Sequence, residues 1–176
     1  MSFLKKIIIL SLLMLLGCQT LNTIPIEVNI SQEVTFSGKG AGAGIALMSA
    51  MGPSGLAIGL AIDVGIAKEI KKNITHQQLE SSIKSILSKY NSVQLQNDHI
   101  HYFEITTLKF QSFSDDSDPT AVIIEGNILF KDERLLPFSN ISYYEKYITP
   151  LMLLKSKKSE SNALILENIE HLISTI

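Results

Sequence analysis

Residues 38–67 read GKGAGAGIALMSAMGPSGLAIGLAIDVGIA, and the fold of this chain turns on how that stretch is read. It holds eight of the ten glycines, and its only charges are Lys39 and Asp63. Gly52-Pro53-Ser54-Gly55 is a strong turn signal that divides it into two apolar arms, Ala43 to Met51 and Leu56 to Ala67. In the second arm Gly55 and Gly59 are four apart, and Ala57, Ala61 and Gly65 continue at the same spacing. Small residues every fourth position make a smooth helical stripe against which another helix can pack closely. Each glycine costs a helix about 1 kcal/mol relative to alanine in water, so its repeated use implies close packing or a lipid environment. The arms measure roughly 14 to 18 Å as helices, and neither crosses roughly 30 Å of hydrocarbon alone. Three settings fit: a helical hairpin dipping into one leaflet, a hairpin within an oligomer, or an apolar loop and helix packed on the protein's own sheet. Asp63 is costly against lipid, so it is expected to face a helix, water or the interface.

Downstream the periodicity becomes that of an amphipathic helix, with Leu79, Ile83, Ile86, Leu87 and Tyr90 on one face. Thr75 is its expected N-cap, with Gln78 at capping-box spacing. Val93 and Leu95 suggest a short strand. Ile100 to Phe113 alternates as a long strand, Asp115 to Pro119 is a turn, and Ala121 to Lys131 returns antiparallel. Leu135 to Phe138 and Ile141 to Ile148 suggest further strand or irregular edge, and residues 162–175 form a terminal helix. Upstream, Ile26 to Ile30 alternates as a half-buried strand, with Val34 to Phe36 as its extension. A helix packed on a mostly antiparallel sheet is the economical arrangement of these elements, an α+β fold.

The first residues have a different character. Lys5 and Lys6 precede an apolar run from Ile7 to Leu16, followed by Gly17 and Cys18, with no charge between residues 7 and 17. This is the pattern of a secretory signal peptide and is too short to span a bilayer. The segment Leu15-Leu16-Gly17-Cys18 resembles the lipobox of bacterial lipoproteins. That resemblance implies acylation of the Cys18 thiol, cleavage before Cys18 and acylation of the new N-terminus. Two or more acyl chains, at about 0.8 kcal/mol per buried methylene, anchor a protein stably to a membrane. Gln19 follows instead of Asp, which by the same resemblance implies export to the outer membrane of a Gram-negative cell, facing periplasm or surface. The expected organisation is therefore a signal peptide at 1–17, a lipidated tether at 18–25 and one α+β domain at 26–176 that includes the hairpin at 38–67.

The mature chain has 159 of the 176 residues, enough for one modest core. Loss of Lys5 and Lys6 leaves 13 basic against 17 acidic residues, a net charge of −4 that argues against a nucleic-acid partner. Cys18 is the only cysteine, so no intramolecular disulfide can form.

No constellation of catalytic residues stands out. The Gly38 to Gly44 run lacks the Gly-Lys-Ser/Thr ending of a phosphate loop. His99 and His101 share a strand face but are two ligands where a metal site usually needs three or four. Asp115, Asp116 and Asp118 lack the glycine and distal glutamate of a calcium loop. No serine stands in a Gly-x-Ser-x-Gly elbow, Glu125 has no evident carboxylate partner, and the tyrosines 143, 144 and 147 read as packing. A non-enzyme without a cofactor is expected.

The glycine-rich double arm with a polar turn, in a small lipoprotein, looks like the TraT surface-exclusion and complement-resistance lipoproteins, in which such a hairpin belongs to a ring-like membrane oligomer. Here the arms precede the amphipathic helix, whereas in that family they follow it. The resemblance implies membrane-proximal self-association and transfers no individual residue. The expected partners are the lipid bilayer through acylated Cys18, and a second copy or an envelope protein. The alternative is a periplasmic accessory or binding lipoprotein of an envelope assembly or transport machine, with the hairpin buried as core.

Overall fold

The computed structural model describes residues 25–113 and 118–176. The signal peptide, Cys18, most of the tether, Asp115 and Asp116 lie outside the described residues. The fold is α+β: a six-stranded mixed sheet covered on one face by helices.

Two long strands form the spine. β3 (Ile100–Ser112) and β4 (Pro119–Phe130) pair antiparallel, with Phe103 opposite Ile128 and Phe110 opposite Val122. Their alternation sends Phe103, Ile105, Leu108 and Phe110 to the core, while Tyr102, Glu104, Lys109 and Gln111 stay half-buried on the open face. A bulge between Ile105 and Thr107 keeps the apolar residues on one side across the irregularity. Gly126 sits opposite it, where any Cβ would overlap the Glu104 carbonyl, so only glycine fits. β5 (Leu135–Ser139) and the two-residue β6 (Thr149–Pro150) pair antiparallel with β4.

β1 (Glu27–Ile30) and β2 (Thr35–Ser37) instead run parallel to β3, with Val28 beside Phe103 and Phe36 beside Phe110. The sheet is mostly antiparallel, as expected, and these two short strands are its parallel exceptions. The cause is the connection. Parallel strands require a long crossover, usually helical. Here the crossover is the whole segment α1 (Lys39–Met51), α2 (Pro53–Asn73) and α3 (His76–Asn91).

One core unites the layers. Ile66, Ala67 and Ile70 from α2 and Leu79, Ile83 and Leu87 from α3 meet the sheet. So do Leu151 and Leu154 of α4 (Leu151–Ser156) and Leu164, Ile165, Ile169 and Leu172 of α5 (Lys158–Ser174). Asn140 and Asn168 form a buried polar link: Asn140 Nδ2 donates to Asn168 Oδ1 at 2.7 Å and to the Val122 carbonyl at 2.8 Å. Its Oδ1 accepts the Ile124 N–H at 2.8 Å, so a side chain continues the ladder where β5 ends.

Several local expectations are corrected. Both arms are longer than expected: the first helix already begins at Lys39, and α2 runs from Pro53, well placed at its first turn, through Asn73. Thr75 occupies the N-cap of α3 but makes no side-chain cap bond. The capping box is replaced by a tertiary contact, in which Asn162 Oδ1 accepts the Thr75 N–H at 3.3 Å. Val93 and Leu95 form no strand; they are exposed and lead into a 3₁₀ turn at Gln96–Asp98.

Candidate functional site

The arms α1 and α2 form an antiparallel hairpin whose seam is glycine against glycine. Gly40 and Gly44 on α1 are buried against Gly55 and Gly59 on α2. A Cβ on Gly55 would lie 2.5 Å from the Leu47 carbonyl carbon, and one on Gly59 would overlap the Gly40 carbonyl oxygen. The backbones therefore touch, an approach that only a side chain of hydrogen permits. Asp63 lies one turn beyond Gly59 on the same face and is buried. Its carboxylate accepts the Gly40 N–H at 2.6 Å. That bond caps α1, whose own N-cap residue, Gly38, offers no side chain. A carboxylate at a helix N-terminus also gains from the helix dipole.

Asp63→Ala is expected to fray the start of α1. Loss of a capping oxygen typically costs about 1 kcal/mol, up to about 2. Hydrogen exchange of the α1 amides should accelerate accordingly, and Asp63→Asn, which retains an acceptor, should recover most of the protection.

The outside of the hairpin is apolar and exposed. Ile45, Met48 and Met51 on α1 and Leu56, Ile58, Leu60, Ile62 and Val64 on α2 are all exposed, Ile45 to 66% and Leu60 to 61%. They make up half of the large exposed apolar side chains among the described residues, gathered within twenty positions. Isolated exposed leucines are ordinary, but a contiguous patch marks an interaction surface. No charged residue occurs from Gly40 to Ile62, and the Ser49 hydroxyl is occupied by the Ala46 carbonyl at 2.8 Å. Charge returns at the base. Lys39 pairs with Asp118, and Lys68, Lys71 and Lys72 are exposed on α2.

The small residues expected to pack helices fall into two stripes. Gly55 and Gly59, with Asp63, turn inward against α1. Ala57, Ala61 and Gly65 lie on the exposed side of α2, and a Cβ on Gly65 would meet open space. Gly40 and Gly44, the other half of the seam, escaped the sequence reading. Their four-residue spacing mirrors that of Gly55 and Gly59 across the turn, which was the available signal. No helix among the described residues is long and apolar enough to cross a membrane.

Other polar groups are dispersed. His99 Nε2 contacts the Gln94 carbonyl at 3.2 Å, and among the described residues no three His, Cys, Asp or Glu side chains group as a metal site would need. The His171 ring lies edge-on to Tyr143 at 4.6 Å and near Tyr147, where burial raises the Tyr143 hydroxyl above its ordinary pKa. An open cleft of about 500 Å³ is lined by Glu69, Lys72, Asp118 and Lys155 among others. Its carboxylates are paired to lysines, Lys155 with Glu69 at 2.9 Å and Lys39 with Asp118. Comparison with protein-family models, curated proteins and solved structures finds no match to the chain.

Proposed function

We propose that this protein is a bacterial outer-membrane lipoprotein, anchored through acylated Cys18, with a structural or interaction role rather than a catalytic one. Its working part on this reading is the hairpin α1–α2, which associates at the membrane with lipid, a second copy or an envelope partner. The observation that supports it is the stretch from Gly40 to Ile62, which carries no charge and turns seven large apolar side chains outward. Self-association would use the outward stripe Ala57, Ala61 and Gly65, since Gly55 and Gly59 are already engaged within the chain.

Anchor and hairpin would make separate contacts. The chain enters the sheet at Glu27 beside Tyr102 and leaves it at Gly38 against Ser112. Those points lie about 30 Å apart along β3, at about 3.3 Å per residue. The seven Cα–Cα steps from Pro25 back to Cys18 span at most about 25 Å. Two contacts so spaced would fix how the domain lies on its membrane.

Cys18→Ser is expected to abolish acylation. Labelling with radioactive palmitate and fractionation of the envelope should then show loss of the label and loss of the processed outer-membrane form. Full labelling of that variant would remove the anchor from the account.

A further inference from the structure

We infer that the free end of the hairpin, residues 40–62, inserts into a single leaflet of a lipid bilayer and ends near its midplane. The inference rests on the envelope reading above and names hydrocarbon as the occupant of the exposed surface.

Length is the first argument. The stretch of α2 without charge, Pro53 to Ile62, is ten residues, about 15 Å of helix. Half of a hydrocarbon core of about 30 Å is the same depth. The matching part of α1, Gly40 to Met51, is about 18 Å long.

Charge is the second. Just past the apolar end, Asp63 is turned inward onto the Gly40 N–H, away from lipid. Lys68 follows six residues beyond Ile62, about 9 Å along the axis, with Lys71 and Lys72 one turn further. The headgroup layer is about 5–8 Å deep on each side. Lysine stems reach back toward it, so these ammonium groups meet the phosphates of acidic lipids. Among the described residues none of the three forms an ion pair.

Distribution is the third. Exposed apolar side chains occur on α1 (Ile45, Met48) and along α2 at both Leu56 and Leu60 and Ile58 and Ile62. A protein partner covers one face, whereas hydrocarbon wets all of them. At the tip, two backbone N–H groups are paired within the turn, which lowers the cost of placing them in hydrocarbon. The Gly52 N–H donates to the Met48 carbonyl, the Gly55 N–H donates to the Gly52 carbonyl, and Pro53 has no N–H. The glycine seam completes the fit, because it holds two helices together by close packing where the hydrophobic effect is absent.

The test uses the intact lipoprotein. Cys18 is the only cysteine, so in the acylated protein Met51→Cys, Val64→Cys and Lys131→Cys each present one thiol for an environment-sensitive fluorophore. Each is reconstituted into phosphatidylcholine–phosphatidylglycerol vesicles containing lipids with a nitroxide at a shallow or a deep acyl position. The label at 51 should be quenched mainly by the deep nitroxide, that at 64 mainly by the shallow one, and that at 131 by neither. Adding Leu60→Glu, harmless to a side chain already in water, should lower insertion about a hundredfold and abolish quenching at 51 with the melting temperature unchanged. Vesicle-bound protein whose labels at 51 and 64 escape quenching would overturn the insertion while leaving the anchor intact, and disulfide formation by the unlabelled Met51→Cys protein with an added oxidant would then identify a second copy as the occupant. Undiminished quenching with Leu60→Glu would also overturn it. Protein that fails to bind vesicles at all would overturn the envelope reading itself.

Discussion

Gly59→Leu is expected to force α1 away from α2, while Ala61→Leu, two residues along the same helix, leaves the fold as it is. At position 59 even the first carbon of a side chain would overlap the Gly40 carbonyl oxygen and lie 2.8 Å from the Gly44 Cα. The obstacle is backbone, which cannot rotate aside. Overpacking costs about 1–3 kcal/mol where neighbours are side chains, and the upper end or beyond applies here. The loss is local. α1 packs chiefly on α2, and the buried residues that tie α2 to the sheet, Ile66, Ala67 and Ile70, lie below the seam. Hydrogen exchange in a peptide covering residues 39–51 should therefore speed up by roughly a hundredfold, as a cost of about 3 kcal/mol implies, with the amides of β3 and β4 hardly affected. Ala61 is exposed, and its replacement should change stability by no more than about 0.5 kcal/mol. Equal effects at the two positions would contradict the seam.

Asn140→Ala should destabilise the whole domain. Asn140 is 2% exposed, and its side chain satisfies the Ile124 N–H, the Val122 carbonyl and the Asn168 amide oxygen. Truncation leaves those three groups buried without their partner. Each unsatisfied group costs about 1–3 kcal/mol, so a total of about 3–5 kcal/mol is expected after partial relaxation. Against a domain stability of about 5–15 kcal/mol, this should lower the melting temperature by roughly 10 °C or more. Thermal unfolding followed by circular dichroism measures it. Asn168→Ala, which removes one of the three partners and the 2.9 Å bond to the Leu164 carbonyl, should have a smaller effect. A truncated Asn140 that melts with the parent would show that the ladder does not depend on this side chain.

What could be read in the sequence was what repeats locally. The alternation of β3 and β4 and the 3.6-residue period of α3 and α5 arise from each element's own buried face, and they mark those elements without tertiary information. The parallel placement of β1 and β2 was not legible, because nothing in a strand of three or four residues specifies its neighbour. The crossover that dictates it is the same glycine-rich segment that reads as a separate unit. Asn140 and Asn162 act on backbone groups 16 and 87 residues away, and such bonds leave no periodic trace. Val93 and Leu95 have strand propensity but no partner strand, and the Asp98–Arg134 contact at 2.7 Å closes their loop against the β4–β5 turn instead.

The hairpin was legible in part. Spacing identified which small residues share a face, but two interleaved stripes were present and spacing alone does not say which turns inward. Asp63 decides. It belongs to the stripe of Gly55 and Gly59, and a buried carboxylate needs a donor, which the uncapped start of α1 supplies. The inward stripe is thus the one that carries the acid, and Ala57, Ala61 and Gly65 are left facing outward.

The most direct test of the central claim is the intact mass of the mature protein recovered from separated inner and outer membranes. The mature chain should begin at Cys18, heavier by its acyl chains, and be found in the outer membrane. An unmodified soluble protein with any other first residue would contradict it.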